Sequence, residues 1–162
     1  MGIGPVQFST LDWVRLESNL LFYPGDNSET YPFADEPCGD TIWELGLEFT
    51  VTPGKVGFIG AENHYRLKGK ERFKIYGVKL EGTTPADEGA ELLQDGKPIG
   101  FVTGGMWSDL NQHNIGIARM SVAAATPGTE LAVLNKDGTE IKAVAAKMPF
   151  YDLDKSKRMA KG

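Results

Sequence analysis

Apolar and polar residues change period several times along this chain, and each change marks an element. In PVQFSTLDWVRLESNLLFY, residues 5–23, Leu11, Val14, Leu16, Leu20 and Leu21 fall near helical spacing. That spacing predicts an amphipathic helix with Ser9 or Thr10 as its N-cap. The period disappears in PGDNSETYPFADEPCGD, residues 24–40, where prolines and turn formers predict a long loop. Trp43, Leu45, Leu47, Phe49 and Val51 then alternate with more polar residues, which predicts a strand over 43–51 closed by the turn at Pro53-Gly54. A short loop and a brief helix follow in GFIGAENHYRLKGK.

From about Glu71 to Asp152 nearly every segment alternates, and Asp95-Gly96 and Asp137-Gly138 sit between alternating runs as hairpin turns. Closely spaced strands with little helix between them predict a small barrel or sandwich. The fold class expected is α+β, mostly β: residues 1–70 form a first part, 71–155 a small antiparallel barrel or sandwich, and 156–162 a polar, basic tail. One helix and one strand do not make a sheet, so the strand expected at 43–51 needs neighbours that residues 1–42 do not supply.

Composition narrows the function. The 162 residues carry 17 Lys+Arg against 22 Asp+Glu, net −5, with the signs interspersed. No basic stripe is present to neutralise phosphates, so nucleic acid is not an expected partner. No run approaches the roughly 18 apolar residues of a membrane span, and the first residues show no basic-then-apolar leader pattern. With Cys38 as its one cysteine, the chain reads as a soluble, cytoplasmic protein of a reducing compartment.

Candidate chemistry is sparse. His64 and His113 lie far apart, and with one cysteine they make no zinc spacing, so no metal is expected. Cys38 has no neighbouring base to activate it. Asp35, Glu36 and Asp40 read as a solvated acidic loop. Gly104 and Gly105 read as a bulge or tight turn within a strand rather than a phosphate cradle. Arg15 and Glu17 on the first helix admit two readings: a solvated surface pair worth about 0–1 kcal/mol, or half of a ligand site.

One extended string changes the balance. DGKPIGFVTGGMWSDLNQHNIGIARM, with PGTELAV and KMPFYD after it, closely resembles the C-terminal barrel of the glycine-cleavage T-protein (aminomethyltransferase) family. The match runs through Gly100, Val102, Thr103, Gly105 and Ser108, then Asn114, Ile115, Gly116 and Ala118, then Pro127, Gly128 and Thr129. Gly104 stands where that family usually has serine, and Asp109 where it usually has proline. Upstream, Asp12, Arg15, Leu16, Glu17, Leu21 and Tyr23 match the family's A-R-D-x-L-R-L-E-x-G-x-x-L-Y-G-x-D. Glu44, Gly46 and Leu47, and Phe58, Ile59, Gly60 and Glu62, match two further strings, so the resemblance spans residues 5–152.

The resemblance implies a cofactor, tetrahydrofolate, and a one-carbon transfer of a methyl or aminomethyl group onto it. Arg15 and Tyr23 match positions near that cofactor, and Trp107 lies in the loop facing the family's central cavity. Those three are the candidate cofactor-binding residues, with Glu17 as a structural partner. Proteins of this family exceed twice this length, and the residue beside the reacting nitrogen belongs to the half not present here. The resemblance therefore implies a subunit or fragment, inactive alone, that needs a protein partner supplying the other half of the folate domain. Its substrate would be a small methylated molecule. The alternative is a non-catalytic folate- or partner-binding module of a larger amine-oxidising or demethylating complex.

Overall fold

The computed structural model describes residues 4–32, 39–154 and 156. Asp35, Glu36, Cys38 and nearly all of the tail expected after residue 155 lie outside the described residues. The described chain is mostly β. Six strands, β1 (Phe73–Leu80), β2 (Glu91–Gln94), β3 (Lys97–Ser108), β4 (His113–Ser121), β5 (Glu130–Leu134) and β6 (Glu140–Ala146), follow two helices, α1 (Phe8–Ser18) and α2 (Ala61–Leu67). The strands close into an antiparallel barrel in the order β1-β4-β3-β2-β5-β6, with β6 returning to β1. Closure gives each of the six strands two hydrogen-bonded neighbours.

Both predicted hairpin turns form. Asp95 and Gly96 have φ of 51° and 72°, the left-handed pair that a two-residue turn between twisted strands requires. Between β5 and β6, Gly138 has a φ of 85°, and the Gly138 amide donates to Asn135 O at 2.9 Å.

Two apolar clusters follow from strand periodicity. Val78, Leu80, Leu92, Val102, Ala118, Met120 and Val133 point into the barrel. On β1 and β4 the intervening residues Ile75, Ile115 and Ile117 point outward, yet are also buried, because Leu16 of α1, Met106 and Phe150 cover them. Burying Leu16 alone contributes about 1.5–3 kcal/mol. β3 and β4 approach so closely that a Cβ on Gly100 would lie 1.9 Å from the Arg119 carbonyl oxygen.

The first part differs from expectation at two points. Helix α1 begins at Phe8 with Gln7 as its N-cap, so Ser9 and Thr10 fall inside its first turn and not at the cap. It ends at Ser18, with Asn19 in the left-handed conformation, leaving Leu20 and Leu21 beyond it. Residues 43–51 are not a strand. They form a turn and a short 3-10 helix, Glu48–Thr50. Gly46 sits at φ 71°, which breaks any extended run. The amides of Leu45 and Leu47 donate to Thr41 and Ile42 carbonyls at 3.1 and 2.8 Å, so local turns take the hydrogen bonds a ladder would have used. The alternation did not mark a buried face, since Phe49 is 79% exposed.

Glu44 anchors this segment. Its buried carboxylate accepts from the Thr41 amide at 2.8 Å, from the Arg72 amide at 3.0 Å and from Arg72 Nε at 2.7 Å. Burial alone would push its pKa up, but the Arg72 guanidinium and these amides outweigh it and hold the group at about 2, against an ordinary 4.5. A carboxyl depressed in the folded state stabilises the fold above its unfolded pKa, and that contribution is lost as pH falls from about 4.5 towards 2. Denaturant melts of the chain should show stability falling across that window, and the fall should be shallower in Glu44→Gln. An identical acid limb in the variant would remove Glu44 from this role.

Candidate functional site

The site lies where the first part meets the outer wall of the barrel. β3 and β4 slip register between Val102 and Gly104, with Val102 opposite Ala118 and Gly104 opposite Ile117. Thr103 is the extra residue of a β-bulge, as the glycine pair suggested, and a bulge re-aims the side chain it carries. The Thr103 hydroxyl donates to the carboxylate of Asp26, which is 1% exposed. The same carboxylate accepts from Arg15 Nη1 at 2.9 Å and from the Phe22 amide at 2.7 Å. Arg15 Nε donates to Asp12 at 2.9 Å.

One layer below, fully buried Arg119 of β4 lies flat on Phe73, its Cζ 3.8 Å from the ring centroid. It donates to both Asp40 oxygens, at 2.9 and 3.2 Å. Asp40 also accepts from the Ser28 amide at 3.0 Å. One acid–arginine pair, Asp26–Arg15, thus ties the start of this segment to α1, and the other, Asp40–Arg119, ties its end to the barrel.

Above the bulge opens a cleft of about 530 Å³. Its floor is Thr103, Gly104, Gly105 and Met106, its walls include Phe8, Trp13 and Phe22, and its charged lining residues are Arg15, Asp12 and Glu88. A Cβ on Gly104 would stand 3.3 Å from Arg15 Nη2 and 3.2 Å from Leu16 Cδ2. The missing side chain is therefore what keeps this corner open. Nη2 makes no hydrogen bond to the described residues, so Arg15 has two nitrogens committed to the protein and one facing the cleft. Apolar walls around a few fixed donors suit a planar heteroaromatic ligand.

The three sequence candidates do not converge on one point. Arg15 lines the cleft. Tyr23 is 67% exposed beside it, between the lining residues Phe22 and Pro24, and its hydroxyl donates to Glu29 at 2.6 Å. That bond to the Glu29 carboxylate raises its pKa above the ordinary value. Trp107 lines a separate cavity of about 180 Å³ that shares Trp13 and Met106 with the cleft. Glu17 accepts the Ser108 hydroxyl at 2.5 Å, the structural role expected of it. Sequence reasoning passed over Asp26, although it stands three residues after Tyr23, where the quoted string has its final aspartate. It also passed over Glu88, which no local pattern distinguishes from any surface glutamate.

The barrel decides the family. Residues 74–152 match the glycine cleavage T-protein C-terminal barrel domain. The barrel belongs to that domain family. It is 51% identical over 161 residues, 99% of its length, to 42% of the heme-dependent oxidative N-demethylase gamma subunit of Ectopseudomonas mendocina. It is 33% identical over 153 residues, 93% of its length, to 38% of a probable aminomethyltransferase of Pyrococcus furiosus. Among solved structures it superposes with a TM-score of 0.72 on glycine cleavage system aminomethyltransferase T from Bartonella henselae, at 25% identity, over 87% of this chain and 38% of that one. The chain thus spans about two fifths of the length of these relatives.

Asp40→Ala would leave buried Arg119 without its carboxylate and should cost about 3–5 kcal/mol in a denaturant melt. A loss below about 1 kcal/mol, the scale of an exposed pair, would show that the clamp does not hold the segment.

Proposed function

We propose that this chain is part of a tetrahydrofolate-dependent one-carbon transferase acting within an N-demethylating complex. The observation that carries this reading is the 51% identity over 161 residues to an N-demethylase gamma subunit. It is joined to a cleft in which Arg15 keeps one nitrogen open beside the Gly104 floor. Residues 1–70 are then the C-terminal segment of a folate-binding domain, 71–155 the T-protein-type barrel and 156–162 a tail.

The cleft fits part of such a cofactor. Phe8, Trp13 and Phe22 offer flat apolar walls, and Arg15 offers donors. Asp12 and Asp26 already balance the Arg15 charge, so its free edge suits a neutral ring acceptor better than a carboxylate. Tyr23 stands at the rim, and Trp107 one wall away in the adjoining cavity. Bound folate would supply the nitrogen that accepts the one-carbon unit; these residues would orient it and keep water from one face.

A protein partner fits the surface. Phe8, Leu11, Trp13, Val14, Leu20 and Phe22 are all at least 48% exposed along α1 and the turn after it. An apolar face of this kind marks an interaction site. On this reading the partner surface is the other half of the folate domain, and the chain alone does not turn over substrate. A non-catalytic module of the same complex remains the second reading, favoured by the word subunit in that relative's name.

Tetrahydrofolate titration of the complex purified from its own source separates them. The first reading expects saturable binding that Arg15→Ala weakens by more than about tenfold. Arg15→Lys, which keeps charge but not the planar fork, should recover little of it. Unchanged affinity in both variants would remove Arg15 from the site, and no binding by the complex would leave the module reading.

A further inference from the structure

Residues 39–70 carry a second apolar surface, apart from α1, that the folate reading does not use. The turns over 41–51 and helix α2 enclose a groove of about 320 Å³, lined by Ile42, Trp43, Val51, Phe58, Ile59 and Leu67. None of these residues lines the Arg15 cleft or the cavity beside Trp107. Ile59 is fully exposed, and Phe49 and Val56 in the same segment are each more than three quarters exposed. Contiguous apolar surface of this kind marks an interaction site.

The groove is built rather than loose. Trp43 stacks on His64 with ring centroids 4.6 Å apart, and its indole Nε1 donates to the His64 carbonyl at 2.8 Å. Phe58 meets the same imidazole edge-on at 5.8 Å. The Tyr65 hydroxyl donates to the Lys55 carbonyl at 2.7 Å, and Glu44 ties the turn to Arg72. Yet no residue of α2 is buried, and its groove-lining residues His64 and Leu67 are only half-buried. A helix of seven residues is too short to hold its conformation in water without packing. One side of α2 has Trp43 to pack on; its groove side is open.

Charge defines what fits there. Among the described residues no lysine, arginine or glutamate lines the groove. Its one carboxylate, Asp40, is taken up by Arg119 and the Ser28 amide. The occupant is therefore apolar and uncharged. Length points to its source. The matched relatives carry about three fifths of their length outside the stretch they share with this chain. In them the corresponding surface lies within a polypeptide that has the material to cover it, and a second copy of this chain brings no such material. We propose that the 42–67 groove is a second docking surface for the partner chain that supplies the rest of the folate domain, and that it takes an uncharged apolar segment of that chain. The inference rests on the partner reading given above, but not on folate binding or on any residue of the cleft.

The test compares the complex purified from its own source with the full chain alone. Amide hydrogen exchange over residues 56–67 should slow by at least about tenfold in the complex. Ile59→Asp changes a side chain that stands in water, so it should leave the melt of the isolated chain unchanged. It should nevertheless weaken association at least about a hundredfold, because it carries a charge into an apolar contact. Leu11→Asp on α1 tests the partner reading by itself. Association lost in Leu11→Asp but intact in Ile59→Asp would keep the partner and overturn the groove. Association that survives both, or a native mass with no companion chain, would overturn the two together. Pairing with a second copy through Ile59 would also overturn the proposal. A complex that loses its partner in Ile59→Asp, yet binds no tetrahydrofolate, would sink the folate reading and leave the groove standing.

Discussion

The buried carboxylate of Asp26 is the constraint on which the outer half of this structure depends. It takes one hydrogen bond from helix α1 through Arg15, one from the backbone of its own segment at Phe22, and one from the barrel through Thr103. A helix, the turn that follows it and a strand 77 residues away converge on two oxygens. A carboxylate removed from water is tolerated only when such partners replace its hydration. The cost of burying it is therefore tied to docking the helix on the wall.

That docking explains the shape of the cleft. Thr103 reaches Asp26 because the bulge in β3 turns it outward, and the bulge is followed by glycine where α1 presses closest. The arginine that could serve a ligand also holds the helix in place, so structure and recognition share one side chain. The arrangement leaves a polar, clamped seam beneath and a broad apolar surface outside. The acid–arginine pairs of the seam are closed within the chain, whereas the outer face of α1 has its large side chains in water. The asymmetry fits a chain that spans about two fifths of its relatives' length.

Much of the site was legible in the sequence, and the part that was not has a common cause. Arg15 and Glu17 stood out because a helical frame and a family string both placed them, and Glu17 proved to hold Ser108. Asp26 did not stand out, because a residue in a PGDN turn looks solvated until a distant arginine and threonine are brought to it. Asp40 was read as part of a solvated acidic loop for the same reason, and it proves to be the buried partner of Arg119. Linear patterns report which face of an element is apolar; they do not report which loop charge is carried inward by the closure of a segment 79 residues away in sequence.

The sequence by itself determined a β-rich second part, since strand alternation, both Asp-Gly turns and the glycines at β3 are local instructions whose physics acts within a few residues, and the family strings chose a barrel over a sandwich. It also determined the family, since those strings occur in order. Tertiary structure alone decided the fate of residues 43–51, where alternation predicted a strand. A strand forms only if a neighbouring edge takes its hydrogen bonds along its length; the barrel takes one here, from the Ile75 amide to the Glu44 carbonyl, and turns around Gly46 and the Glu44–Arg72 pair took the place of the rest. Tertiary structure alone also set Trp107 in a cavity apart from the Arg15 cleft, because the β3–β4 hairpin and the helix axis, neither visible in one dimension, fix which wall each side chain reaches.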